Sequence, residues 1–194
     1  SLLALSDGRT VANPRWLRQA LTKLRVAQRR MSRRKRGSQR WRKAAQGVAR
    51  LHERVAHQRR DFWHQVTHTL VDTYDVIAIE DLKLAFMTHN AHLALSAHDA
   101  GLGLFRQLLE YKAESAGTQV IAVAPQYTSQ VCSGCGAVVE KTLSVRTHDC
   151  PHCGLHLDRD VNAARNILHK SAWTEPSGAN VDQRVMRSLR SFPL

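Results

Sequence analysis

The chain has 194 residues, a hydrophobic fraction of 43% and a formal net charge of +13. That length suits one ordinary domain plus a small appendage, and that composition excludes a disordered chain. No stretch approaches the ~20 apolar residues of a membrane helix, and no charged-then-apolar leader opens the sequence. We therefore expect a soluble, unexported protein of the cytoplasm.

The positive charge lies almost entirely in one segment. Between Arg15 and Arg60 the chain carries 17 Lys and Arg but a single acid, Glu53. Such a run is commonly a solvated helix face, but here too few acids are present for salt bridges to explain it. Nucleic acid is the expected partner. The predicted contact residues are Arg29, Arg30, Arg33, Arg34, Lys35, Arg36, Arg40, Arg42 and Lys43.

The first predicted elements are a hairpin and a pair of helices. Asp7-Gly8 between two short apolar runs predicts a tight β-turn, and Asn13-Pro14 predicts a helix start. Apolar residues then recur at helical spacing on both sides of a break at Gly37-Ser38. Two long helices at residues 14–73 should fold back as an antiparallel hairpin. The tryptophans near the apolar stripe are interpreted as packing residues.

The second half of the chain alternates strands and helices. Residues 74–80 and 119–123 are apolar runs of strand type, and residues 99–116 between them are helical and end at Gly117. A short amphipathic helix is predicted at residues 161–168. The tail, residues 171–194, has little periodicity and is predicted to be poorly ordered.

Four cysteines form two matching C-x-x-C-G units, Cys132-Ser133-Gly134-Cys135-Gly136 and Cys150-Pro151-His152-Cys153-Gly154. Two residues between cysteines let both thiolates of one turn reach the same metal, and four thiolates form a closed tetrahedral site. We predict a structural zinc site. An iron site and two disulfides are the alternatives.

A second group of candidate residues is acidic. Glu80 and Asp81 end an apolar strand, where α/β proteins often present active-site carboxylates. Asp158 and Asp160 come immediately before a helix. Carboxylates from separate elements can hold the paired divalent ions of phosphodiester hydrolysis. By spacing alone the signal is weak, since acids at strand ends and helix N-termini are usually helix caps or solvated groups.

Three stretches closely resemble the TnpB (OrfB-type) insertion-sequence proteins, which are RNA-guided DNA endonucleases related to the type V CRISPR effectors. They are Val76-Ile77-Ala78-Ile79-Glu80-Asp81-Leu82, Tyr127-Thr128-Ser129-Gln130-Val131-Cys132-Ser133-Gly134-Cys135-Gly136 and Asp158-Arg159-Asp160-Val161-Asn162-Ala163-Ala164-Arg165-Asn166-Ile167. The resemblance runs from about Ser1 to Leu168. It implies an α/β fold, an RNase H-like (RuvC) nuclease domain that is N-terminally truncated here, with an inserted basic helical hairpin and a four-cysteine zinc ribbon.

The resemblance also implies roles for individual residues. Glu80 matches the second catalytic acid and Asp160 the third, both as ligands of catalytic magnesium. The first acid belongs on the opening strand, before Ser1, and Asp7 is no substitute because it falls in the following turn. We therefore expect this chain alone to be inactive. The implied partners are DNA and a guide RNA, in a prokaryotic cell at the nucleoid.

The expected domain organisation follows these motifs. Residues 1–126 would form a partial RuvC-like domain containing the hairpin, 127–157 the zinc ribbon, and 158–170 the last nuclease motif with its helix. The alternative function is a non-catalytic zinc-ribbon module that binds nucleic acid. A DDE-type strand-transfer transposase has no support in the residue spacing.

Overall fold

The computed structural model describes residues 1–82, 95, 99–142 and 144–172. The chain divides into two compact units. The sheet unit comprises Ser1–Asn13, Leu70–Lys83 and Glu110–Leu194, and the hairpin unit comprises Pro14–Thr69 and Leu84–Leu109. Within the described ranges, no helix has the length and apolar character needed to span a membrane. Of the tail predicted at residues 171–194, Ser171 and Ala172 instead belong to the last helix, where Ser171 is buried. Residues 173–194 lie outside the described residues.

The described chain contains both strands and helices, and the α/β class predicted from sequence is confirmed. In chain order the elements are β1 (Leu3–Ala4), β2 (Thr10–Val11), α1 (Trp16–Ser32), α2 (Gln39–Thr73), β3 (Val76–Glu80), α3 (Leu102–Ala116), β4 (Gln119–Val123), β5 (Thr147–Asp149), β6 (His156–Asp158) and α4 (Arg159–Ala172).

In the sheet unit, β3 and β4 pair in parallel with Glu80 opposite Val123. The apolar sequence of both strands explains this pairing, since parallel strands are buried on both faces. Gly117 ends α3 with a φ of 73°, and the Thr118 amide bonds back to the Ala113 carbonyl at 2.9 Å. This is a left-handed helix cap that a side chain would strain. Helix α4 packs against both β3 and β4, and also against β1, β5 and β6.

The opening hairpin is wider than the tight turn predicted from Asp7-Gly8. Strands β1 and β2 pair antiparallel, with Leu3 opposite Val11, and the connection runs from Leu5 to Arg9. Only Gly8 adopts a positive φ, 93°, whereas a two-residue turn of the predicted kind needs two.

In the hairpin unit, α1 and α2 run side by side as predicted. The ring of Trp16, at the start of α1, meets Phe62, near the end of α2, with centroids 5.2 Å apart. Residues 22–30 of α1 and 44–51 of α2 line a shared groove, so the helices are antiparallel. Ser38 caps α2 by accepting a hydrogen bond from the Trp41 amide at 3.1 Å. Trp63 is fully buried, which confirms its packing role.

The start of α1 differs from the prediction. The helix begins at Trp16 and not at Pro14, and the preceding Arg15 has a φ of 55° and gives no side-chain cap. The cap comes instead from Asp99, whose Oδ1 accepts the Leu17 amide hydrogen at 2.9 Å. A residue 82 positions away thus replaces the local cap.

Candidate metal centre and carboxylate pair

The two cysteine turns have the same backbone hydrogen bonds. The amides of Gly136 and Gly154 each bond to the carbonyl of the first cysteine of their turn, at 2.9 Å. The amides of Cys132 and Cys150 bond to the residue five positions ahead, at 2.8 and 2.9 Å. Both glycines have positive φ, 76° and 72°, which explains why glycine follows each pair. Local sequence therefore builds each half of the centre.

The four cysteine sulfurs converge on one point. All lie within 4.8 Å of one another, and the pairs Cys132–Cys153 and Cys135–Cys150 are 3.6 Å apart. A tetrahedron with metal–sulfur bonds of about 2.3 Å has sulfur–sulfur edges of about 3.8 Å. Disulfide sulfurs are about 2.05 Å apart, so the pairing into two disulfides is excluded by this geometry. The four residues fit one tetrahedral ion.

The electrostatics of the quartet also suit a cation. Burial acts to raise the pKa of the Cys150 thiol, but backbone hydrogen bonds from Cys153 and His152 outweigh it and lower the pKa to about 6. For Cys153 a backbone hydrogen bond from Leu155 lowers the pKa, but the neighbouring sulfurs and burial raise it to about 12. Four thiolates this close repel one another, and a bound divalent cation relieves that repulsion.

The nearby histidines have other partners. His148 is fully buried and its Nδ1 contacts the Lys141 ammonium, which also donates to the Ser129 carbonyl at 2.9 Å. Burial and Lys141 lower the pKa of His148. His156 pairs with Asp149 at the surface. Among the described residues, the grouping of possible metal ligands contains the cysteines and no histidine, as expected.

Glu80 is held by a residue just before the cysteine turns. The Thr128 hydroxyl donates to Glu80 Oε1 at 2.5 Å and also contacts the Pro125 carbonyl at 3.1 Å. Thr128 is only 4% exposed, and its carbonyl accepts from Asn166 of α4 at 2.8 Å. Within the described chain, Glu80 Oε2 has no hydrogen-bond partner. One oxygen is fixed and the other is available.

The two aspartates before α4 have different roles. Asp158 Oδ1 accepts the amide hydrogens of Asp160 and Val161, at 2.8 and 3.2 Å, so Asp158 is the helix N-cap. Asp160 sits in the first helical turn with a side chain 39% exposed. Its Oδ1 is 3.3 Å from the Arg159 guanidinium, a loose contact. Asp160 therefore keeps a carboxylate that the backbone does not use.

The beginning of the chain lies beside Asp160. The Ser1 hydroxyl is 3.5 Å from Asp160 Oδ2. Asp7 lies elsewhere in the hairpin connection, where it accepts hydrogen bonds from Arg9 at 2.6 Å and from the Tyr74 hydroxyl at 2.9 Å. Burial acts to raise the pKa of Asp7, but these hydrogen bonds outweigh it and hold the pKa below its usual range. Asp7 is thus committed to a structural ion pair.

The basic segment presents its charge to solvent. Every Lys and Arg from Arg15 to Arg60 is exposed except Arg59, which is half-buried. In the described part of the chain, none of the cations from Lys23 to Arg54 forms an ion pair. All nine predicted contact residues lie within that stretch. Their charge is unneutralised.

Sequence reasoning missed two residues next to the carboxylate. Thr128 belongs to a quoted motif, but nothing in the spacing indicates its bond to Glu80. Tyr127 has a φ of 61°, and its side chain is exposed. A bulky residue in the left-handed region is a conformational outlier that sequence patterns do not reveal.

Models of two protein families match this chain. The OrfB_IS605 model, described as "Probable transposase", matches residues 1–91. The model of the Cas12f1-like TNB domain matches residues 103–167, the part that contains both cysteine turns and Asp160.

Two relatives extend the match across most of the chain. A Streptomyces pristinaespiralis protein, named as an inferred RNA-guided DNA endonuclease, is 39% identical over 170 residues, covering 87% of this chain and 42% of the relative. InsQ of Escherichia coli K12, named in the same way, is 37% identical over 183 residues, covering 86% of this chain and 46% of InsQ. The chain belongs to the TnpB (OrfB-type) family. It spans less than half the length of these two relatives.

The fold agrees with this family. Cas12f1, solved by cryo-EM in complex with its sgRNA and target DNA, superposes with a TM-score of 0.54 at 18% identity, over 78% of this chain and 41% of Cas12f1. At that identity the likeness concerns the fold. The TnpB-like chain and Cas12f1 therefore share an α/β architecture over the described elements.

Proposed function

We propose that the sheet unit is part of a RuvC-type nuclease site that hydrolyses DNA phosphodiester bonds with Glu80 and Asp160 as metal-binding carboxylates. The observation that carries this proposal is the hydrogen bonding at the start of α4, where Asp158 caps the helix while the Asp160 carboxylate makes long contacts, to Arg159 at 3.3 Å and to Ser1 at 3.5 Å. Glu80 is likewise oriented by Thr128 with one oxygen available. Both residues lie on elements that pack together, β3 and α4.

The residues of this chain would position the reaction in three ways. Glu80 Oε2 and the Asp160 carboxylate would bind divalent magnesium, since carboxylate oxygens are the ligands this ion prefers. Magnesium at such a site activates water and stabilises the leaving oxygen. Thr128 would keep Glu80 in place, and the Ser1 hydroxyl lies beside Asp160. A polypeptide of residues 1–194 alone is expected not to cleave DNA.

The test is cleavage by a protein extended upstream to the length of its relatives. Glu80→Gln and Asp160→Asn should each lower magnesium-dependent cleavage by about 10³-fold or more, since ligands that stabilise transition-state charge contribute several kcal/mol. Asp158→Asn is the matched control, because asparagine caps a helix as well as aspartate does. Undiminished cleavage by either of the first two variants would contradict the proposal.

Zinc is the ion we assign to the four cysteines. The thiolate set and the tetrahedral spacing are those of structural zinc sites, which have no open position for substrate. The ribbon would hold the chain between Glu80 and Asp160, because the cysteine turns connect to Thr128 on one side and to α4 on the other. The Asn162 side chain links α4 to the first cysteine turn. It accepts a hydrogen bond from the Ser133 amide at 2.9 Å and donates one to the Val131 carbonyl at 2.8 Å.

The hairpin unit would bind the phosphate backbone of DNA or of a guide RNA. Its unneutralised cations would release counterions on binding, which makes the affinity fall steeply with salt. Replacing Arg33, Arg34 and Lys35 with glutamine should weaken binding and reduce the log–log salt slope by about 0.7 to 0.9 for each phosphate that is no longer neutralised. A salt slope near zero for the unaltered chain would leave the basic segment without this role.

A second candidate function is nucleic-acid binding without catalysis. Two observations favour it. The cations of the hairpin unit are unneutralised, and only two acids within residues 1–194, Glu80 and Asp160, are assigned to catalysis. Magnesium-dependent DNA cleavage by this polypeptide alone would exclude it.

A further inference from the structure

Tyr127 is an aromatic residue that the fold exposes at a conformational cost. Its side chain is 66% exposed, and its φ of 61° lies in the left-handed region, which disfavours bulky residues. No aromatic, ion-pair or hydrogen-bond partner of the ring is present among the described residues. Neither packing nor backbone preference explains a tyrosine here.

The backbone on both sides of Tyr127 is fixed. The Gln126 carbonyl accepts from the Lys170 ammonium at 2.5 Å, and Thr128 is held by Glu80 and Asn166. The Tyr127 carbonyl itself accepts the amide hydrogens of Gln130 and Val131, at 3.1 and 3.0 Å. Strained residues that their surroundings hold in place cluster at functional sites. The ring is therefore presented on a rigid support.

The position of Tyr127 relates it to the proposed nuclease carboxylates. Because the Thr128 hydroxyl touches Glu80, bond geometry places the Tyr127 Cα within about 9 Å of the Glu80 carboxylate. The Lys170 ammonium lies against the preceding residue. Single-stranded nucleic acid is bound by exposed rings that stack on bases together with cations that pair with phosphates, and Tyr127 and Lys170 bring these two residue types to the same backbone segment.

We propose that Tyr127 is a stacking platform for an unpaired base of the nucleic-acid strand that enters the carboxylate site. This role rests on the proposed function, since it requires a nucleic-acid substrate at Glu80. The held backbone fixes the point from which the side chain projects, so a base stacked on the ring would lie within a limited distance of the carboxylates. The tyrosine hydroxyl is not needed for stacking, whereas the ring is.

The test uses residues 1–194 loaded with zinc and a single-stranded oligonucleotide containing 2-aminopurine, in the absence of magnesium. Stacking on an aromatic ring quenches 2-aminopurine fluorescence. Tyr127→Phe should retain the quenching and the affinity. Tyr127→Gly and Tyr127→Asn, which suit a positive φ but lack the ring, should lose the quenching and bind about five- to 150-fold more weakly.

Tyr111→Ala is the matched control, because Tyr111 is equally exposed, at 64%, but lies on the regular helix α3. It should leave both signals unchanged. Retention of quenching and affinity by Tyr127→Gly would overturn the stacking role while leaving the nuclease proposal intact. A lower melting temperature of Tyr127→Gly with unchanged affinity would also overturn it, since the ring would then serve packing. Failure of the unaltered chain to bind any oligonucleotide would contradict both the stacking role and the nucleic-acid binding proposed for the hairpin unit.

Discussion

The cysteine quartet and the carboxylate pair lie in the same unit but are built in opposite ways. Each half of the quartet comes from a few consecutive residues whose glycines and backbone hydrogen bonds form the turn, and all four ligand atoms converge within 4.8 Å. Glu80 and Asp160 come from distant segments, and each is oriented by neighbours of its own, Thr128 and the Asp158 cap. Short sequence motifs therefore form most of the cysteine site, whereas the carboxylate pair depends on contacts between distant parts of the fold.

If this comparison is right, removing the metal from the four cysteines should have the largest effect on the stability of the chain. Structural zinc sites carry apparent binding energies of about 10–16 kcal/mol in zinc-finger peptides, and that energy is folding energy. Chelation or Cys150→Ser should therefore unfold the ribbon and lower the melting temperature of the chain, measured by circular dichroism. His152→Ala, between two ligands but not one of them, should change little. A melting temperature unaffected by chelation would show that the quartet does not support the fold.

The next effect should appear at the support of Glu80. Thr128→Val removes the donor to Oε1 without changing the side-chain shape, and an unmade hydrogen bond to a charged group costs about 1–3 kcal/mol. Cleavage by the extended protein should fall about five- to 150-fold, chiefly in kcat, because the carboxylate is misplaced and not removed. Thr128→Ser keeps the hydroxyl and should restore the rate. Equal rates for valine and serine would show that Glu80 is positioned by other contacts.

A smaller effect is expected at the helix cap. Asp158→Ala removes the acceptor of two α4 amides, and losing such a cap costs about 1 kcal/mol of stability. The free energy of unfolding measured in urea should fall by that amount, with cleavage changed far less than in Asp160→Asn. A cleavage loss as large as that of Asp160→Asn would reverse the assigned roles of these aspartates.

The smallest effect is expected at the hairpin connection. The folded-state pKa of Asp7 is below its ordinary value of 3.8, because hydrogen bonds from Arg9 and Tyr74 outweigh burial. Its stabilising contribution is therefore fully present above that value and is lost as pH falls through the lower folded pKa. Asp7→Asn should cost less than about 1 kcal/mol at pH 7, and the difference from the unaltered chain should shrink below about pH 4. A difference that grows in acid would contradict the ion pair.

The same contrast explains what could be predicted from sequence. The convergence of the cysteines, the break at Gly37-Ser38 and the helices and strands taken one by one depend mainly on nearby residues, and the structure confirms them. The predicted start of α1 was wrong because its cap is Asp99, 82 residues from Leu17, and not the adjacent Asn13-Pro14. Neither the bond from Thr128 to Glu80 nor the strained Tyr127 could be predicted, since both arise from tertiary packing.

The sequence distinguished the two aspartates before α4 by family resemblance, without a physical reason for the choice. The resemblance to TnpB proteins selected Asp160 over Asp158, and the hydrogen bonds of Asp158 give that choice a physical reason. Asp7, which the sequence analysis does not accept as the first acid of the family motif, is paired with Arg9 and Tyr74 in the hairpin connection.

The central claim is that Glu80 and Asp160 bind the same divalent ion. Fe²⁺ can replace Mg²⁺ at carboxylate sites, and with ascorbate and peroxide it cuts the polypeptide next to its ligands. In the zinc-loaded extended protein, we predict cuts beside both residues 80 and 160 that excess Mg²⁺ suppresses together and that Glu80→Gln abolishes at both places. Cuts near only one of the two residues, or cuts near 160 that persist in Glu80→Gln, would contradict a shared metal site.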